Sequence, residues 1–257
     1  MSSFIHSLQS EFIKTKRSSS FWLSVIGALF IPVIFFLMYT FKADVFSKDM
    51  ADMPWQKHFM RGWQSLSSFL LPMFAILTCS LVVQIEYKNN GWKQVFASPQ
   101  PLGNIFFSKY LSIHGMIIFC IILFNVFMVI CAVAVSLINS KYHFLHKPFN
   151  IVAIMKLSVK TYISILAIMA IQYWLSLRFK NFIAPIGIGL GLLITSLILL
   201  QWEHIDWVPY AYPILTFMKA SPKNGQVLLP HELHSIIIFV VVTIAAFLDM
   251  KYRKERG

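Results

Sequence analysis

The chain has 257 residues, 58% of them hydrophobic and only 12% charged, with a formal net charge of +12 and a mean hydropathy of +0.69. Those values exclude an ordinary soluble domain and imply an integral membrane protein. A bilayer core about 30 Å thick requires roughly 20 mostly apolar residues per helical span.

Residues 1–20 read as an amphipathic helix lying in the membrane interface. Phe4, Ile5, Leu8, Phe12 and Ile13 fall near helical spacing, and Lys14, Lys16 and Arg17 sit where anionic headgroups would be. A frayed basic tail is the alternative. Residues 21–257 read as one all-α transmembrane domain with six spans, at approximately 21–41, 66–85, 110–138, 161–177, 182–200 and 235–248. These are continuous apolar runs without strand-like alternation, so helices rather than a barrel are expected. The first run exceeds the usual signal-peptide h-region of about 7 to 15 residues and lacks a small-residue cleavage pattern.

Pro32, Pro72 and Pro185 each interrupt an apolar run and are expected to kink or break it. Gly187, Gly189 and Gly191 expose backbone for close helix contact, or simply make that span pliable. The middles of the spans carry no Asp, Glu, Lys or Arg. Gln84, Asn125, Gln172 and Thr195 are their polar residues, placed to join helices or to line a path.

Between the second and third spans runs "VVQIEYKNNGWKQVFASPQPLGNIFFSKYLSI". The chain leaves the membrane through Glu86, Tyr87 and Lys88, turns at "NNG", and continues as "WKQVFAS" until "PQP" ends the segment. Trp92, Val95 and Phe96 would share one face of a short helix, with Lys93 on another, suited to lipid or to a groove on a soluble partner. Before the sixth span, Trp202, Trp207, Tyr210, Tyr212 and Phe217 combine with Pro209 and Pro213. That composition predicts a re-entrant or interface-lying element, or an aromatic belt.

Six spans put both termini on one side. Placing that side in the cytoplasm gives it 12 of the 22 Lys and Arg residues, including the dense "MKYRKERG" end. Chemistry of the usual kinds is not encoded. "HELH" spaces its histidines at i and i+3, whereas a zincin needs i and i+4, so it reads as a helix start. Neither GxSxG nor a P-loop occurs, and Cys79, Cys120 and Cys131 form no CxxC pair. No catalytic, cofactor-binding or metal-binding residue is therefore expected on this chain, and no nucleic-acid partner.

The basic start "LQSEFIKTKRSSSFW", the acidic exit followed by "EYKNNGWKQVFASPQPLGNIFFSKYL", the six spans and the aromatic outer segment together resemble the ABC-2 type transporter permeases. Among these they are similar to the small permeases of bacteriocin (lantibiotic) immunity and peptide-resistance exporters. The resemblance implies a permease subunit of an ATP-driven exporter in the bacterial cytoplasmic membrane, with an amphipathic or hydrophobic substrate such as an antimicrobial peptide. Two permeases, identical or not, would pair in the bilayer and rest on separate ATP-binding subunits that hold the ATP and magnesium. The segment after the second span would be the coupling helix, contacting the ATP-binding subunit through Glu86, Tyr87, Lys88, Trp92, Lys93, Val95 and Phe96. Pro32, Pro72, Pro185, Gly187 and Gly191 are the candidates for the permease interface or pathway. A non-transporting membrane anchor or sensor is the alternative. The outer surfaces carry a surplus of about four positive charges, which offers no acidic trap to a cationic peptide.

Overall fold

The computed structural model describes residues 2–16, 18–88, 100–219 and 227–252. The expected coupling-helix residues Trp92, Lys93, Val95 and Phe96 lie outside them. The described residues form helices and short turns without strands: α1 (Ser2–Lys16), α2 (Ser19–Phe41), α3 (Ala43–Asp49), α4 (Pro54–Ser65), α5 (Leu71–Lys88), α6 (Leu102–Ile138), α7 (Ile151–Arg178), α8 (Ile183–Ile198), α9 (Tyr212–Met218) and α10 (Pro230–Tyr252). Among the described residues, six helices are long and apolar enough to cross a membrane: Ser19–Phe41, Pro54–Tyr87, Leu102–Ile138, Ile151–Arg178, Ile183–Gln201 and Pro230–Tyr252.

Several helices outrun the apolar runs that announce them. The helix that carries the second span starts at Pro54, ahead of the apolar run near residue 66, because α4 is amphipathic. It buries His58, Phe59, Gly62 and Trp63, while Gln56 and Lys57 lower the average hydropathy that marks a span. Gly62 allows close approach to α6: a Cβ there would lie 2.3 Å from Met128 Cε. α4 joins α5 through a wide turn, Leu66–Leu70, in which the Leu71 amide donates to the Leu66 carbonyl, five residues back. Pro72 has no amide hydrogen to offer the preceding turn, and this wider turn accommodates it.

Pro185 behaves differently from the expected kink. It is the third residue of α8, within the first turn, where amide hydrogens have no intrahelical acceptor to lose. Pro32 lies inside α2, which continues past it for nine residues to Phe41.

The α4–α5 span is the centre of the bundle, with 67% of its most apolar stretch buried against 17–44% for the other spans. It packs against α2, α7 and α8, while α10 lies along α7 and α1 lies along α6. The three cysteines are free and buried. α1 is amphipathic in the reverse of the globular sense. Ser7, Glu11 and Thr15, four residues apart, face the bundle, while Ile5, Phe12 and Ile13 are exposed.

After α8, residues 199–218 fold back against α7 and α8 instead of looping away. Three short turns and α9 bury Tyr210, Ala211, Tyr212, Ile214 and Leu215. The Gln172 amide donates to the Tyr210 hydroxyl at 2.6 Å.

Candidate functional site

The polar face of α1 meets the ends of α5 and α6 in a cluster of two glutamates and two lysines, in which Glu11, Glu86 and Lys109 are buried and Lys14 is partly exposed at the edge. Lys109, in the second turn of α6, has a side chain 1% exposed; its Nζ donates to Glu11 Oε2 at 2.7 Å and to Glu86 Oε1 at 3.3 Å. Lys14 closes the ring, donating to Glu86 Oε1 at 2.9 Å and to Glu11 Oε1 at 3.1 Å. The four formal charges sum to zero. Burying charge is costly unless it is paired and hydrogen-bonded, and here each carboxylate receives both ammonium groups. Burial pulls the Lys14 ammonium down, but its hydrogen bond to Glu86 and the charges of Glu11 and Glu86 outweigh that and hold it above its ordinary pKa.

This cluster brackets residues 89–99. Glu86 and Tyr87 precede that segment, and Gln100 and Lys109 follow it. The Tyr87 hydroxyl donates to the Leu177 carbonyl at 2.9 Å, fixing the end of α5 to the end of α7. The Ser7 hydroxyl donates to Gln100 Oε1 at 2.8 Å, and Thr15 meets Ser112 at 3.4 Å. Both ends of the segment are thus clamped to α1. Glu86, expected on the sequence as a surface contact, is 4% exposed and turned into the chain. Lys14, expected at lipid headgroups, is turned into the same cluster. Lys88 is the last residue of α5.

The sequence reading missed Glu11 and treated Lys109 as one more cytoplasmic positive charge. A signal was available: acids are scarce, with 10 Asp and Glu against 22 Lys and Arg. An acid spaced four residues from Ser7 and Thr15 marks a polar face that needs a buried cationic partner.

The candidates for an interface divide. Pro32, Pro72 and Pro185 are all buried inside the protomer. Gly187 and Gly191 face open space, where an added Cβ would meet nothing within 4 Å, whereas Gly189 is locked inside. A Cβ at Gly189 would lie 2.1 Å from Gln172 Nε2 and 2.9 Å from Ile76 Cγ2. The three glycines therefore serve two faces of α8, one packed on α5 and α7 and one turned outward.

At the opposite end of the bundle from the termini, "HELH" begins α10. Glu232 accepts from the Leu229 amide at 2.8 Å, the reach-back of a capping-box acid, and Pro230 occupies the first helical position. The histidines have separate tasks. His231 Nε2 pairs with the Thr216 hydroxyl at 3.0 Å, and His234 stacks on Trp207 at 4.6 Å while Nδ1 meets the Asp206 carbonyl at 2.9 Å. Near the same end, His58 bridges the Tyr39 hydroxyl and the Met128 carbonyl, each at 3.0 Å. No group of three or more His, Cys, Asp or Glu side chains suited to a metal occurs among the described residues.

No curated protein matches this sequence. A family model described as "ABC-2 family transporter protein" matches residues 7–196, from the polar face of α1 through the clamped segment and most of α8. That match covers well over half the chain and includes every member of the charge cluster, so the chain belongs to the ABC-2 transporter family.

Proposed function

We propose that this chain is the permease subunit of an ATP-driven exporter. Two such subunits pair in a bacterial cytoplasmic membrane, with both termini and residues 89–99 in the cytoplasm, and rest on separate ATP-binding subunits. Membership of the family implies such a partner. The observation that carries the reading is the cluster of Glu11, Lys14, Glu86 and Lys109. It joins α5, which precedes residues 89–99, and α6, which follows them, to α1, so that a push received there is delivered to α1, α5 and α6 together. A loop that receives force from a soluble motor needs a stiff base, and a paired low-dielectric cluster supplies one.

In this reading Trp92, Val95 and Phe96 fill a groove on the ATP-binding subunit, with Lys88 and Lys93 at the rim, and Glu86 braces the helix from behind. The permease interface runs along the exposed faces of α2 and α8, which flank α5 and present Gly187 and Gly191. The segment from Trp202 to Met218 dips into the bundle from the outer side. The substrate is amphipathic or hydrophobic. The narrower bacteriocin-immunity reading rests on the sequence resemblance, and the basic outer surface weighs against a cationic peptide.

The test is Trp92→Ala in the complex with the ATP-binding subunit. A buried aromatic anchor contributes about 2 kcal/mol, roughly thirtyfold in assembly at about 1.4 kcal/mol per decade. Lys93→Ala should do far less. Wild-type pull-down together with wild-type transport in Trp92→Ala would remove the segment from the coupling role. An isolated, contaminant-free chain that hydrolyses ATP would contradict the proposed division of labour.

A further inference from the structure

At the end of the bundle opposite the termini, a cavity of about 1350 Å³ lies between α4, the first half of α7 and the end of α9. Its walls are mainly apolar, and several of the large side chains lining it are exposed, among them Met53, Met60, Val152, Met155 and Val159. Among the described residues, three lysines, Lys147, Lys156 and Lys160, line it with one acid, Asp52. Glu232 stands behind Lys160, so the five groups leave a surplus of one positive charge.

Lys160 is the informative residue. A lysine beside lipid ordinarily buries its stem and sends its ammonium to water. Here the side chain is 20% exposed, yet Nζ itself is buried, 3.5 Å from Glu232 Oε2 and without a hydrogen bond among the described residues. The indole Nε1 of Trp63, on the facing wall, is likewise a buried donor without an acceptor among them. Buried donors without hydrogen bonds are costly, so Trp63 Nε1 needs an oxygen acceptor and Lys160 Nζ, held only by its long ion pair with Glu232, has donors to spare for one. Lys156 lies one helical turn from Lys160, toward the start of α7, and is exposed. The arrangement is an apolar trough with a ladder of cations on one wall.

We propose that this cavity binds an anionic membrane amphiphile, its acyl chain against the apolar walls and its phosphate oxygens on Lys160 and Lys156. The proposal rests on the exporter reading, for which it names the substrate class, and a cationic peptide is the occupant it excludes.

The test uses the purified full-length chain, without an ATP-binding subunit, in phosphatidylcholine nanodiscs. Brominated-acyl phosphatidylglycerol or brominated-acyl phosphatidylcholine is titrated in, and quenching of tryptophan emission is followed. The cavity component is the part of the signal lost in Trp55→Phe, since Trp55 lines the cavity. In the wild type, phosphatidylglycerol should half-quench that component at a lower mole fraction than phosphatidylcholine, by about fivefold for each lysine engaged. Lys156→Gln, an exposed change that leaves the fold intact, should remove about fivefold, and Lys156→Arg should restore it. Lys160→Gln combined with Glu232→Gln, which strands no charge, should remove most of the remainder. Equal quenching by the two lipids in the wild type, or a preference that the lysine variants leave unchanged, would overturn the proposal. So would protection by a cationic amphipathic peptide in place of lipid preference. Because no partner subunit is present, failed assembly with an ATP-binding subunit would leave this result standing, and an assembled transporter without lipid preference would remove only this inference.

Discussion

The two ends of the bundle handle buried polarity in opposite ways. At the end bearing the termini, two glutamates and two lysines are matched charge for charge, and no fully buried polar atom of theirs is without a hydrogen-bond partner among the described residues. At the other end, Lys160 Nζ, Glu232 Oε1, His231 Nδ1, Tyr212 Oη and Trp63 Nε1 are buried without hydrogen-bond partners among the described residues. A satisfied network stiffens and specifies one arrangement, whereas orphaned groups cost free energy until something supplies their partners. The first pattern suits transmission of force and the second suits reception of a ligand.

The strongest way to break the contrast is to unbalance the matched end. Lys109→Met should leave Glu11 and Glu86 facing each other with Lys14 alone, a loss of about 3 to 5 kcal/mol for an uncompensated buried charge. Thermal unfolding in detergent should show a large fall in Tm. The triple variant Glu11→Gln, Glu86→Gln, Lys109→Met should recover much of it, because no buried carboxylate is left without its cation. A triple variant as unstable as Lys109→Met would show that the electrostatics are not what the cluster contributes. The pH dependence has a definite sign. The raised pKa of Lys14 means that its contribution is complete below the unfolded-state value and lost only as pH rises through the higher folded value. Titration between pH 7 and 9 should therefore leave it in place.

Next in size is a comparison within α8. Gly189→Ala forces a methyl group onto Gln172 and Ile76, an overpacking cost of about 1 to 3 kcal/mol. Gly187→Ala and Gly191→Ala meet nothing and should raise helix stability by up to about 1 kcal/mol in the isolated protomer. If the outward face of α8 is the permease interface, the same two alanines should weaken protomer-to-protomer cysteine crosslinks placed along α2 and α8. Undiminished crosslinking there, or crosslinks confined to α6 and α7, would move the interface elsewhere.

The smallest effect is expected at Asp44, a fully exposed partner of Lys141 at 2.5 Å. The hydrogen bond and charge of Lys141 hold its carboxyl below the ordinary value, so the pair persists at neutral pH and is lost only as pH falls through that lowered value. Solvent screening makes it worth little, and Asp44→Asn should leave Tm unchanged within error. A clear shift would mean that the exposed ion pairs of this end matter as much as the buried cluster of the other.

Much of the architecture was legible without coordinates, because a bilayer imposes it. Apolar runs long enough to cross have to be helices, so six spans, a helical start at "HELH" and an amphipathic first helix follow from composition and periodicity. The helix that carries the second span begins earlier than its apolar run, since hydropathy averages over a helix whose buried side is His58, Phe59, Gly62 and Trp63. The same reasoning took Pro185 for a kink, because a first turn and an interior turn differ by a boundary that apolar runs do not mark. Pairings between residues far apart in the chain were beyond it altogether. Glu11, Glu86 and Lys109 are separated by 75 and 23 positions, and each alone resembles an ordinary charge beside a membrane. Only packing of α1 against α6 and the end of α5 brings the three together. The orphaned Lys160 is a tertiary fact for the same reason. One more lysine beside a span is unremarkable in sequence, and its burial beside Glu232, at ion-pair distance and without a hydrogen bond among the described residues, follows only from the packing of α7 against α10.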